Sequence, residues 1–128
     1  MHPRTRARLE QCAIEVGSSG GLSLIDPLDY LDFLSLLEGS KLVLTDSGGI
    51  QEETTFLQIP CLTLRPNTER PITIEKGTNR LVRLEELDGF VEKILSGDWK
   101  EGEVPELCDG ETASRIRDHL ERFFDSTH

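Results

Sequence analysis

The run Thr45-Asp46-Ser47-Gly48-Gly49-Ile50-Gln51-Glu52-Glu53 puts a small-residue turn at the start of a helical pattern, directly after the apolar residues Leu42-Val43-Leu44. Strand, glycine turn and helix start, in that order, make an anion site. The first N–H groups of a helix have no internal partner, and the helix dipole adds partial positive charge at that end. Glycine removes the Cβ that would keep a phosphate away from the backbone. Ser47, Gly48 and Gly49 are therefore the candidate phosphate cradle, with the Ser47 hydroxyl as a further donor. The alternative is a plain strand-to-helix turn in which Asp46 or Ser47 caps the helix. Glu52 and Glu53 suit a first helical turn, but a carboxylate facing phosphate would repel it. Either acid would instead suit hydroxyls such as a ribose diol. Arg65, Glu69 and Arg70 sit in a second loop, where an arginine can pair with phosphate or simply be solvated. His2 reads as a terminal residue and Asp26 as a helix cap. No nucleophile–base pair stands out, so the residues alone give a binding half-site.

Composition limits what such a site can serve. The 128 residues suit one domain, residues 1–128, with room for a core. A charged fraction of 30% and a hydrophobic fraction of 36% fit a globular protein. The net charge of −10 argues against nucleic acid. It also means that an anionic ligand must be held by local donors and a few arginines. No apolar run approaches a membrane span, and no apolar segment follows the basic N-terminus as in a secretory signal. Cys12, Cys61 and Cys108 are odd in number and widely spaced, which points to reduced thiols and a cytoplasmic setting. Cys61 reads as a small core residue. The histidines lie near the chain ends, and no spacing suggests a metal site or a cofactor.

The elements that must position the cradle alternate. Residues 4–16 read as a helix with Leu9, Cys12, Ala13 and Val16 on one face. Leu22–Ile25 reads as a strand, and Asp26-Pro27-Leu28-Asp29 as the start of a helix with a Leu31, Leu34 and Leu37 stripe, ended by Gly39. Leu42–Leu44 is apolar throughout, as in a strand covered on both faces. A helix over 49–58, a strand at 61–64, a short helix over 71–76, a strand at 81–82 and a helix over 84–96 follow. A loop and a last helix over 112–125 complete the chain. Strands alternating with helices predict a parallel sheet with helices on both faces, a Rossmann-like three-layer α/β domain. Ligands bind such sheets at the carboxyl ends of the strands, where Thr45–Gly49 and Arg65–Pro71 both fall.

Several motifs in order carry a resemblance. They are His2-Pro3-Arg4-Thr5-Arg6, Leu24-Ile25-Asp26-Pro27-Leu28-Asp29-Tyr30-Leu31, the Leu42–Glu53 run, Thr68-Glu69-Arg70-Pro71 and Glu75-Lys76-Gly77-Thr78-Asn79-Arg80-Leu81-Val82. Together they resemble UDP-N-acetylglucosamine 2-epimerase. The resemblance implies the second Rossmann-like domain of a glycosyltransferase-B-like pair, with the first domain missing and supplied, if at all, by another chain. It implies that Ser47, Gly48 and Gly49 hold the diphosphate of UDP and that Glu53 binds the ribose. Asp26 to Tyr30 would lie near the uracil and Arg70 near the cleft. His2 matches a histidine that in some members helps bind a second, activating UDP-sugar. The implied reaction is inversion at C2 through elimination and re-addition of UDP, in cell-surface polysaccharide biosynthesis, by a family that tends to form homodimers. The catalytic acid and base would belong to the missing domain, so this chain alone should bind UDP weakly without turnover. The alternative is a non-catalytic UDP-sugar-binding or partner-regulating module.

Overall fold

The apolar triplets become short parallel strands, and the segments between them become helices. A computed structural model describes residues 3–13 and 21–126. Its elements are α1 (Pro3–Gln11), α2 (Tyr30–Glu38), β1 (Val43–Thr45), α3 (Gly48–Phe56), β2 (Cys61–Thr63), α4 (Pro71–Glu75) and β3 (Asn79–Leu81). A 3-10 turn (Leu84–Glu86) then leads into α5 (Leu87–Leu95), and α6 (Thr112–Asp125) follows. The strands pair in the order β1-β2-β3, both times parallel, with Leu44 opposite Leu62 and Cys61 opposite Asn79. Parallel neighbours require crossovers, which α3 and α4 supply. The chain groups into two units, Met1–Leu36 and Leu37–His128, and the sheet belongs wholly to the second.

The period-two alternation of β2 gives the sheet two different faces. Leu62 joins Val82 and Ile94 in an apolar core bordered by Leu87, Phe90 and Val91, so α5 covers that face. Trp99 packs edge-on against Phe90, with ring centroids 6.2 Å apart, and its indole N–H donates to the Thr78 carbonyl. Asn79 turns the other way, toward Gln51 of α3 and Thr73 of α4. Helices on both faces give the expected α/β layering. The second interface is polar, however: Gln51, Thr54, Thr55, Thr63, Thr73, Thr78 and Asn79 are all buried. Gly77 belongs to this packing. A Cβ there would run into the Thr55 side chain and the Thr73 carbonyl.

Several expectations are corrected. Residues 22–25 are not a strand. They carry no regular structure, and Leu22, Leu24 and Ile25 are exposed. An apolar run becomes a strand only when a neighbour takes up its backbone hydrogen bonds, and among the described residues the sheet ends at β1. Helix α2 starts at Tyr30, not at Asp26. Asp29 is the cap, its carboxylate accepting from the Asp32 N–H at 3.0 Å, whereas Asp26, which precedes Pro27 and so is disfavoured in a helix, carries no regular structure. Leu37 is buried as expected, but Leu31 is exposed. Leu44 is also exposed, because β1 is an end strand. Helix α1 stops at Gln11, and Ala13 has a positive φ of 51°. Val16 lies outside the described residues. Strand β3 begins two residues earlier than expected, at Asn79. Helix α6 matches its expected bounds, yet Ile116, Leu120, Phe123 and Phe124 on it remain exposed.

All three thiols are free, with Cys12 and Cys108 exposed and Cys61 buried. Burial pushes the Cys61 thiol above its ordinary range, and hydrogen bonding to Thr54 and Thr63 offsets this only in part. The thiolate is the reactive form. Two thiols should therefore react rapidly with an aromatic disulfide reagent in the native protein, and the third only after denaturation. Three fast thiols would show that the β2 core opens.

Candidate functional site

Because β1, β2 and β3 are parallel, the turn after β1 and the loop after β2 emerge at the same edge of the sheet. Ser47 takes the N-cap position of α3, with φ −80° and ψ 131°, but its side chain makes no capping hydrogen bond. Its own N–H donates to Thr45 Oγ1 at 3.0 Å, and its carbonyl accepts from Gln51 Nε2 at 3.3 Å. The turn is thus held from both sides while the Ser47 hydroxyl stays uncommitted to the helix. A simple Ser47 cap is not what forms.

Arg70 comes from the second loop. It is seated over the turn: a Cβ built on Gly48 would lie 2.5 Å from Arg70 Nη1. Only glycine leaves room for the guanidinium there. Arg70 Nε lies 2.8 Å from Glu52 Oε2, and Nη1 lies 3.7 Å from Glu69 Oε2. The Glu52 contact is an ion pair without an aligned hydrogen bond, since Nε has no acceptor along its N–H direction among the described residues. Glu52 and Glu69 hold the guanidinium's pKa above its ordinary value. The Glu69 carboxyl is lowered, first by a backbone N–H and then by Arg65. Glu53 is half-buried and makes no side-chain hydrogen bond or ion pair among the described residues.

The structure therefore brings Ser47, Gly48 and Gly49 together with Arg70 at the first turn of α3, while Glu53 lies further along the same helix. Asp26 falls in the other unit, where its carboxylate accepts from Arg6 at 3.0 Å. His2 lies outside the described residues. Glu52 was read as a generic first-turn acid, and it is the counter-ion of Arg70. Gln51 and Asn79 went unnoticed as buried residues, because a polar side chain within a helix or at the start of a strand looks like surface.

The family described as UDP-N-acetylglucosamine 2-epimerase matches residues 1–121. The chain belongs to the UDP-N-acetylglucosamine 2-epimerase family. The UDP-N-acetylglucosamine 2-epimerase of Methanocaldococcus jannaschii is 45% identical over 106 residues, which cover 78% of this chain and 29% of that protein. The UDP-2,3-diacetamido-2,3-dideoxy-D-glucuronate 2-epimerase of Pseudomonas aeruginosa is 43% identical over 82 residues, 64% of this chain and 22% of that one. A crystal structure of the M. jannaschii UDP-GlcNAc 2-epimerase in complex with UDP-GlcNAc and UDP superposes with a TM-score of 0.76 at 41% identity. It covers 94% of this chain and 34% of that one. This epimerase-family chain thus spans only 22% to 34% of the length of these relatives. Among its described residues no helix is long and apolar enough to cross a membrane.

Proposed function

We propose that this chain is the UDP-holding module of a UDP-N-acetylglucosamine 2-epimerase. One observation carries the reading: the Arg70 guanidinium sits over Gly48 at the N-terminal turn of α3, so backbone donors and a fixed cation converge on one anion position. The two relatives differ in the sugar in their names and share UDP, which favours the nucleotide as the part this segment reads. In this proposal the Ser47–Gly49 turn and Arg70 bind the diphosphate, and Glu53 accepts hydrogen bonds from the ribose hydroxyls.

The reaction proposed for the whole enzyme removes the C2 proton and expels UDP, then adds UDP back after the proton returns on the other face. Carbon acids of this kind need a positioned base and acid. The cradle's task is to keep UDP in place while it is detached, so that re-addition stays intramolecular. The base and acid are assigned to the part of the relatives' length beyond this match. The exposed apolar stripe of α6 and the open edge of β1 are the surfaces such a domain would cover.

Titrating the chain with UDP while following its amide resonances tests the reading. Gly48 and Gly49 should shift first and most, and UDP-N-acetylglucosamine should show no turnover by this chain alone. Unmoved Gly48 and Gly49 amides at millimolar UDP would sink the proposal.

A further inference from the structure

The α3–α4 side of the sheet buries two carboxamides, Gln51 and Asn79, each 0% exposed. Buried amides are costly unless every polar atom is matched, and here they are matched in one direction. The Ser47 carbonyl can only accept, so Gln51 presents its NH2 to it, at 3.3 Å. Gln51 Oε1 then accepts from Asn79 Nδ2 at 3.1 Å and from Thr68 Oγ1 at 2.7 Å. Asn79 Nδ2 also donates to Thr73 Oγ1 at 3.1 Å, and Asn79 Oδ1 accepts from Thr63 Oγ1 at 2.7 Å.

The two threonines finish on the same residue. Thr68 Oγ1 accepts from the Arg70 N–H at 3.1 Å, and Thr73 Oγ1 donates to the Arg70 carbonyl at 2.8 Å. Both peptide groups flanking the Arg70 Cα are therefore held by hydroxyls, and both hydroxyls are held by the carboxamide pair. The same pair holds the Ser47 carbonyl.

We propose that Gln51 and Asn79 are positioning residues: a buried amide relay that locks the Ser47 turn and the Arg70 loop into one rigid anion cradle. The inference rests on reading that cradle as the UDP diphosphate site. Neither amide is exposed, so neither touches ligand; they act by fixing where the backbone donors and the guanidinium stand. An apolar pair would fill the same space but could not hold the three backbone groups.

The test uses the full chain and measures affinities for UDP and UMP, because UMP, with one phosphate, draws less on the cradle. Asn79→Asp keeps the shape but removes both donors. Thr68→Val cuts the Gln51-to-Arg70 arm, and Thr68→Ser keeps it. Asn79→Asp and Thr68→Val should each lose about tenfold in UDP affinity, the scale of one misplaced charge-assisted contact. Their UMP affinity should stay within about twofold and Thr68→Ser should stay near the unaltered chain. If Asn79→Asp does not fold, the Thr68 pair decides alone. A UDP-over-UMP preference that is unchanged, or that falls equally in Thr68→Val and Thr68→Ser, would overturn the positioning role. An unaltered chain that binds no UDP overturns the underlying site reading instead.

Discussion

Replacing Gly48 by alanine is expected to lower UDP affinity by about 30-fold or more, the scale of losing one or two hydrogen bonds to a charged group. The unfolding midpoint should move little. A Cβ at Gly48 would stand 2.5 Å from Nη1 and 3.1 Å from Cζ of Arg70. Those atoms end a long, flexible side chain, so the guanidinium gives way and the backbone stays. The substitution removes two things at once: the ligand's close approach to the turn and the arginine seated over it. Calorimetric titration with UDP and thermal unfolding of the same preparation check both halves. Full UDP affinity in Gly48→Ala would mean that the diphosphate binds elsewhere.

Gly49→Ala separates the two contributions. Nothing lies within 4 Å of a Cβ built there, and the residue is the second of α3. Alanine favours a helix over glycine by about 1 kcal/mol at interior positions, and by less near an end. The free protein should therefore keep or slightly gain stability. Any affinity lost at Gly49 then reports the ligand's own approach to the backbone. The difference between the two variants reports Arg70.

The strand–turn–helix that forms the proposed cradle was legible in the sequence because its parts are local. Leu42–Leu44, the two glycines and the helical run after them are contiguous, and their order carries the meaning. The partner of the cradle was legible only in part. Arg70 could be marked as a cation at the same sheet edge, but its seat over Gly48 depends on a chain reversal through β2. The carboxamide relay was not legible. Gln51 sits in a helix with little amphipathic signal, and Asn79 opens β3 ahead of the apolar pair at 81–82, so neither interrupts an apolar pattern that would expose it as a buried polar residue. The run at 22–25 failed for the opposite reason. Its pattern is good strand, but a strand is a property of a pair. Asp26 was read as the cap, but the carboxylate that reaches the Asp32 N–H is that of Asp29. Helix α6 was read correctly from periodicity alone. Its exposed stripe shows that periodicity tells which face is apolar and not what covers it.

Leu62→Ala should cost about 3 kcal/mol of stability, within the range for truncating buried leucines, whereas Leu44→Ala should cost under about 1 kcal/mol. The two leucines are register partners on neighbouring parallel strands, so they point to the same side of the sheet. Chemistry and strand position are matched, and only burial differs. Leu62 is 0% exposed among Val82, Ile94 and the α5 side chains, and Leu44 is 45% exposed on the end strand. A domain of this size has about 5–15 kcal/mol in total, so the Leu62 change removes a large fraction, while each kcal/mol moves the midpoint by about 4 °C. Chemical denaturation of both variants gives the comparison. Equal losses would mean that Leu44 is buried in solution, and hence that another chain or another copy covers the β1 edge. Such a result would place the covering surface next to the Ser47 turn, since Leu44 precedes it by three residues on the same strand-to-turn segment.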